Sequence, residues 1–245
     1  MNHVPVGRTA RLTSIDTLRG CVMILMALDH VRDYFGVPGL SPLNLAQTTV
    51  PLFLTRWITH LCAPTFFLLT GTGAFLARGR RSRAELSRFL LVRGVWLIVL
   101  ELTVVRCLGM QFNFDYQVTM LIVIWALGWA MIVLAALVWL PMPAIVMFGV
   151  VMVAGHNLLD GVRSADPLWV MLHAQGFAVN HPGFVVFVAY PLVPWVGVTA
   201  LGYALGQIYQ WNSDRRRAFL LRVGLAAIAA EIGRASCRER VYLCV

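Results

Sequence analysis

The 245-residue chain reads as an all-α protein, a polytopic transmembrane helical bundle of six complete spans plus a truncated seventh. Three observations predict this class. Hydrophobic residues make up 59% of the sequence and charged residues 13%, with a mean hydropathy of +0.75, outside the range of soluble globular domains. Apolar stretches close to the length a helix needs to cross a bilayer recur along the chain. The basic residues, all of them arginine, crowd into alternate connections and are nearly missing from the others.

The first span, 15–36, is apolar without interruption only from Gly20 to Leu28, about 14 Å of helix against a hydrocarbon core of roughly 30 Å. Some of its charges therefore lie at membrane depth, where Arg or Asp costs about 2.5 to 3.5 kcal/mol on insertion scales and faces protein or a wet cavity. The second span, 50–77, carries Arg56, His60 and Pro64 one turn apart, and the proline is expected to free a carbonyl near His60 and kink the helix. The third, 89–110, opens beside Arg88 and Arg93 and holds Glu101 at membrane depth, with Arg106 near its outer end. The fourth and fifth, 117–139 and 142–160, are joined by a tight turn at Pro141 and Pro143. The sixth, 184–209, follows the only long loop, 161–183. No strand is required by this pattern. The seventh begins near Ala218 and breaks at Glu231 into a string that resembles the translation of a synthetic sequencing adapter. Residues 11–230 are thus expected to form one transmembrane domain, C-terminally truncated, and residues 231–245, with Cys237 and Cys244, to be foreign to it.

Orientation follows from the arginines. Arg78, Arg80, Arg81 and Arg83, the run Arg215–Arg217, and Arg8 and Arg11 fall on one side, which is expected to be cytoplasmic, with the N-terminus inside a bacterial plasma membrane. The opposite connections hold Asp115, Asp166 and the single Arg163. The same distribution explains the formal charge of +9 by membrane topology, so nucleic acid is not an expected partner. The partners expected are the lipid bilayer and a small-molecule or glycan acceptor, and a homo-oligomer is compatible with the sequence. Cys21, Cys62 and Cys107 lack the spacing of a zinc site or a disulfide framework, and no metal is expected.

Arg19 and His30, eleven residues apart, differ by only about 20° around a helix, with Asp16 and Asp33 within about 60° of His30. They make one ionisable stripe on the first span, Arg19 near the inner end and His30 some 16 Å outward. The depth count sets His60 and Glu101 in the outer half with His30, and Arg88 and Arg93 in the inner half with Arg19. Each has a plainer reading. Arg56, Arg88 and Arg106 reach headgroups as snorkelling side chains, Glu101 pairs an arginine across the bundle, and His60 makes an interhelical hydrogen bond. His30, flanked by Asp29 and Asp33, fits general-base work better than a structural role. His156, His173 and His181 read as structural or solvent-exposed, and Gly71 and Gly73 as close helix packing.

The segment Ser14-Ile-Asp-Thr-Leu-Arg-Gly20, with Asp29-His30 and Arg56-Trp-Ile-Thr-His-Leu-Cys-Ala-Pro-Thr-Phe-Phe-Leu-Leu-Thr-Gly71, resembles the bacterial relatives of the heparan-alpha-glucosaminide N-acetyltransferase catalytic domain, over most of residues 11–210. The D-x-x-R-G opening also resembles that of the acyltransferase-3 family, in which a histidine eleven residues after the arginine is implicated in acyl transfer; His30 stands there. The resemblance implies a membrane acyltransferase that moves an acetyl or other acyl group from cytoplasmic acyl-CoA, its donor substrate, to a sugar or glycan on the far side. On that reading His30 is the base, Asp29 or Asp33 orients it, His60 and Glu101 assist, and Arg19, Arg88 and Arg93 contact the acyl-CoA. One departure stands out: the eukaryotic heparan enzyme's proposed catalytic histidine lies in the loop after this helix, and residues 37–49 here contain none. His60 also matches an Asp before the proline there. The rival class is a transporter whose intramembrane Asp, His and Arg form a proton or solute path.

Overall fold

The computed structural model describes residues 13–36, 48–109, 114–162 and 164–242. Arg8, Arg11 and Arg163, used above for orientation, lie outside the described residues, as does most of the connection after the first span. Helix α1, Thr13–Phe35, is the charged first span. The second is a broken pair, α2 Val50–Thr59 and α3 Cys62–Arg78. The break falls at His60 and Leu61, where the expected kink lies, because Pro64 has no N–H to give the His60 carbonyl. Helix α4, Arg83–Leu100, starts in a capping box: Ser82 Oγ accepts from the Glu85 N–H, and the Glu85 carboxylate accepts from the Ser82 N–H at 2.8 Å. It runs on as a π-helical stretch, Glu101–Gly109.

The fourth span begins differently from expectation. Strand β1, Val118–Leu121, precedes α5, Val123–Leu137. After α6, Met142–Gly155, and a single 3-10 turn, the long connection contains a short helix, α7 Pro167–Leu172, and strand β2, Gly176–His181. Strand β3, Phe184–Val188, leads into α8, Leu192–Leu205, and α9, Ser213–Tyr242, runs through the expected boundary at 231. The strands form one sheet in the order β1-β3-β2, with β1 parallel to β3 and a β2–β3 hairpin that turns at Gly183, φ +85°. The all-α expectation is therefore corrected to a mostly helical fold with a small sheet. Short apolar runs such as Val118–Leu121 and Phe184–Val188 have no period that separates a buried strand from a helix, so they merged with the helices that follow them.

Among the described residues, three helical stretches are long and apolar enough to cross a membrane by length and composition: Val50–Arg78, Met142–Leu159 and Leu192–Gln210. Helix α5 is as apolar but only 15 residues long.

The chain divides into two compact units, Met1–Ala204 and Leu205–Val245. In the first, glycines set the helix crossings. Gly94 on α4 and Gly128 on α5 meet so closely that a Cβ on either would lie 2.6–2.7 Å from the other's carbonyl oxygen. At the crossing of α3 and α8, a Cβ on Gly71 would lie 2.0 Å from the Thr199 carbonyl oxygen and one on Gly202 2.2 Å from the Leu68 carbonyl oxygen, and the Thr72 hydroxyl donates to the Gly202 carbonyl at 3.0 Å. Small residues at such points let backbones approach and gain dispersion where lipid offers no hydrophobic drive. One core gathers Phe75, Leu86, Leu90, Leu134 and Tyr203; the other joins the sheet to the bundle through Val186, Val188, Trp125 and Phe67. In the second unit, Asn212 Oδ1 accepts from the Arg215 N–H at 2.9 Å at the start of α9, and the Arg215 guanidinium lies 4.5 Å from the Trp211 ring.

Candidate active site

Two polar centres lie along α1. The outer one is built around Asp29. On α1 itself Arg32, one turn on, pairs with Asp29 and reaches Asp33 through Nη2 at 2.9 Å. From α2, Arg56 Nη1 donates to Asp29 at 3.2 Å and the Thr59 hydroxyl donates to it at 2.6 Å. Arg56 and Thr59 are also one turn apart, and the helix ends just past Thr59, so the break at His60 and Leu61 fixes where α2 presents them. Cys62, buried at the first turn of α3, holds that end of the break against α1 through the Val22 carbonyl at 3.7 Å. Tyr190 stands within electrostatic reach of Arg56, Asp29 and Cys62. The sheet puts it there: the N–H groups of Ala189 and Tyr190 donate to the Leu121 carbonyl at 2.9 and 3.4 Å. The Tyr190 ring lies 5.6 Å from Trp195, which stacks on Phe67 at 4.9 Å, so an aromatic wall runs from this centre into the core.

The inner centre is a cleft of about 510 Å³ that includes Arg19, Thr70, Gly73, Phe89, Arg93 and Trp96 in its lining. The guanidiniums of Arg81 and Arg93 lie 4.2 and 4.5 Å from the centre of the Phe89 ring. Gly73 leaves the room that Arg19 uses; a Cβ there would lie 3.1 Å from Arg19 Nη2. Guanidiniums over an apolar and aromatic floor suit a ligand with an anionic head and an apolar chain. About 15 Å of α1 separates Arg19 from Asp29.

The expected site residues distribute over these places unevenly. Arg19 and Arg93 share the cleft; Arg88 is exposed and not in its lining. Asp29 and Asp33 are joined through Arg32, while His30 and His60 are both exposed beside this cluster in sequence, and His30 has no hydrogen bond to a described residue. Glu101 belongs to neither centre. It is 2% exposed, and its carboxylate accepts the backbone N–H groups of Ile122 at 2.5 Å and Trp125 at 2.7 Å, which caps α5 from another element. Arg106, 4% exposed, donates to the Val118 carbonyl at 3.0 Å and stacks on Tyr116. Among the described residues, no three His, Cys, Asp or Glu side chains gather where they could share a metal ion.

Sequence reasoning missed Thr59 and Tyr190. The one-turn spacing from Arg56 to Thr59 just before the break could have drawn attention to the threonine; nothing local marks Tyr190, which arrives through pairing of distant strands. A family model described as heparan-alpha-glucosaminide N-acetyltransferase, catalytic, matches residues 11–244. No curated protein and no solved structure matches the chain.

Proposed function

Since the chain belongs to the heparan-alpha-glucosaminide N-acetyltransferase catalytic family, a membrane-associated family of acetyltransferases, we propose that it transfers an acetyl or related acyl group from cytoplasmic acyl-CoA to a sugar or glycan across the membrane. The observation that carries this reading is the placement of two unlike polar centres on one helix, an arginine-lined cleft at Arg19 and a carboxylate–guanidinium cluster at Asp29. In the proposed topology six spans cross the plasma membrane with the N-terminus inside, so the cleft faces the cytoplasm and Asp29 lies outward.

Arg19 and Arg93 then hold the donor's phosphates by charge-assisted hydrogen bonds, and the Phe89 and Trp96 rings line the path of its chain. His30 takes the proton of the acceptor's amine or hydroxyl as that group attacks the thioester carbonyl; the carbon–sulfur bond breaks and CoA leaves as its thiol, protonated in turn. Direct transfer needs no acyl-enzyme. Arg32, Arg56 and Thr59 fix the carboxylate of Asp29, the residue that precedes His30 on α1. Glu101 acts as a positioning residue that holds the start of α5.

The test is acyl transfer from labelled acetyl-CoA in membranes containing the chain, together with melting of the purified protein with and without acetyl-CoA. The reading expects transfer that is lost in His30→Ala, and a rise in melting temperature on adding acetyl-CoA that is lost in Arg93→Gln. A transporter using the same Asp, His and Arg as a solute path would be indifferent to acetyl-CoA, and that outcome would overturn the proposal.

A further inference from the structure

Strand β1 is gripped at both ends by the π-helical stretch that follows α4. Arg106 Nη2 donates to the Val118 carbonyl at 3.0 Å where the strand begins, and the Glu101 carboxylate accepts from the N–H groups of Ile122 and Trp125 just past its end. Glu101 and Arg106 are five residues apart, one hydrogen-bonded turn of a π-helix, so both leave that stretch on one face. The hold passes along the strand to Leu121, whose carbonyl accepts from the N–H groups of Ala189 and Tyr190 at 2.9 and 3.4 Å. Tyr190 is thus fixed by its backbone, and its ring is fixed again by Trp195 at 5.6 Å.

The uncharged donors around Asp29 are not equally engaged. The Thr59 hydroxyl is given to Asp29 at 2.6 Å and the Cys62 thiol to the Val22 carbonyl. The Tyr190 hydroxyl has no hydrogen bond to a described residue, yet it is not among the buried unpaired atoms: the residue is half-buried and its oxygen is open to a ligand. The charged groups balance, Asp29 and Asp33 against Arg32 and Arg56, so the guest that suits this centre is a neutral polar group and not a resident anion. His30, as the base, must offer a lone pair and not a proton. A carbonyl that gains charge only during reaction needs a donor already in place, which costs no reorganisation. A phenol pinned at backbone and ring, against the wall of Trp195 and Phe67, meets that need.

We propose that Tyr190 is a further catalytic residue, whose hydroxyl donates a hydrogen bond to the carbonyl oxygen of the bound acyl thioester. This role rests on the acyl-transfer reading. As the acceptor's nitrogen or oxygen bonds to the carbonyl carbon, its proton goes to His30 and the carbonyl electron pair moves onto the oxygen held by Tyr190. The pair returns as the carbon–sulfur bond breaks, and the departing sulfur takes the proton from His30. The phenol keeps its own proton throughout. Glu101 and Arg106 act through β1 as positioning residues for it.

The experiment uses the full chain in lipid nanodiscs with acetyl-CoA isotopically labelled at the carbonyl carbon, and difference infrared spectroscopy reads the carbonyl stretch of the bound thioester. In the unmodified chain the band is expected below its position in free acetyl-CoA. Tyr190→Phe retains the ring and its packing, and is expected to return the band to the free position and to lower acyl transfer in membranes roughly 100-fold. The rise in melting temperature on adding acetyl-CoA should survive that change. Replacing Tyr190 by 3-fluorotyrosine, a stronger donor, is expected to move the band further down, which a packing role would not do. If Tyr190→Phe does not fold, the fluorinated chain decides. A band that neither replacement moves, or undiminished transfer in Tyr190→Phe, overturns the proposal and leaves the acyl-transfer reading standing. An unmodified chain whose melting ignores acetyl-CoA sinks that reading and this role together.

Discussion

Asp29 receives three donors from two helices, and the consequences of removing them differ. Thr59→Val keeps the shape of the side chain but deletes the 2.6 Å bond, and a hydrogen bond to a charged group contributes about 1.5–3 kcal/mol. Partial exposure of Arg56 and Asp29 places the cost at the lower end, and thermal melting in detergent measures it. His30→Ala gives the opposite profile. Its side chain is exposed and bonds no described residue, so melting should stay within about 0.5 kcal/mol of the unmodified protein while acyl transfer falls roughly 100-fold or more. A loss of transfer in step with a loss of stability would mean that His30 is structural. The stripe of Asp16, Arg19, His30 and Asp33 was legible from helical period alone. What the period could not tell is that Asp29, off that stripe's centre, is where the neighbouring helix brings its donors.

Among the elements, α5 depends on a carboxylate it does not carry. Its own N-cap, Ile122, has no side-chain acceptor, and Glu101 accepts its first N–H groups from the π-helical stretch. Glu101→Ala leaves buried N–H groups unpaired, at about 1–3 kcal/mol each, whereas Glu101→Gln retains one acceptor oxygen and should lie between; melting curves of the two variants test the order. Glycines two positions apart on α3 should behave differently. Gly71→Ala forces a Cβ into the backbone of α8 and should abolish the folded state. Gly73→Ala meets only the flexible end of Arg19, so the protein should fold and show a raised KM for acyl-CoA. Helix α4 offers a pH test. The Ser82 N–H and hydroxyl both bond the Glu85 carboxylate and hold its pKa below the ordinary value, so the cap's contribution is complete at neutral pH and above the unfolded value. It disappears as pH falls through the lowered folded value, and faster amide exchange at the start of α4 in that acid range would report it.

For the molecule as a whole, composition and arginine placement made a membrane-associated helical protein legible, and Pro64 marked the break between α2 and α3 correctly. The sheet was not legible, for a reason that lies in chain order. Strand β1 pairs with β3, and Val118 sits against Val185, so β1 has no partner nearby in sequence. That pairing has a consequence for biogenesis. When β1 leaves the ribosome, the strand that completes it does not yet exist, and Tyr190 is made later still. Helices α1 to α3 can assemble the Asp29 cluster early, but its aromatic wall waits for β3 to dock. A chain stopped after Gly183 should therefore insert its earlier helices yet leave residues 114–122 open to protease, with protection returning once synthesis extends past Trp195. The centre on α1 is finished by the chain's later half, which makes the order of synthesis part of how this protein acquires its site.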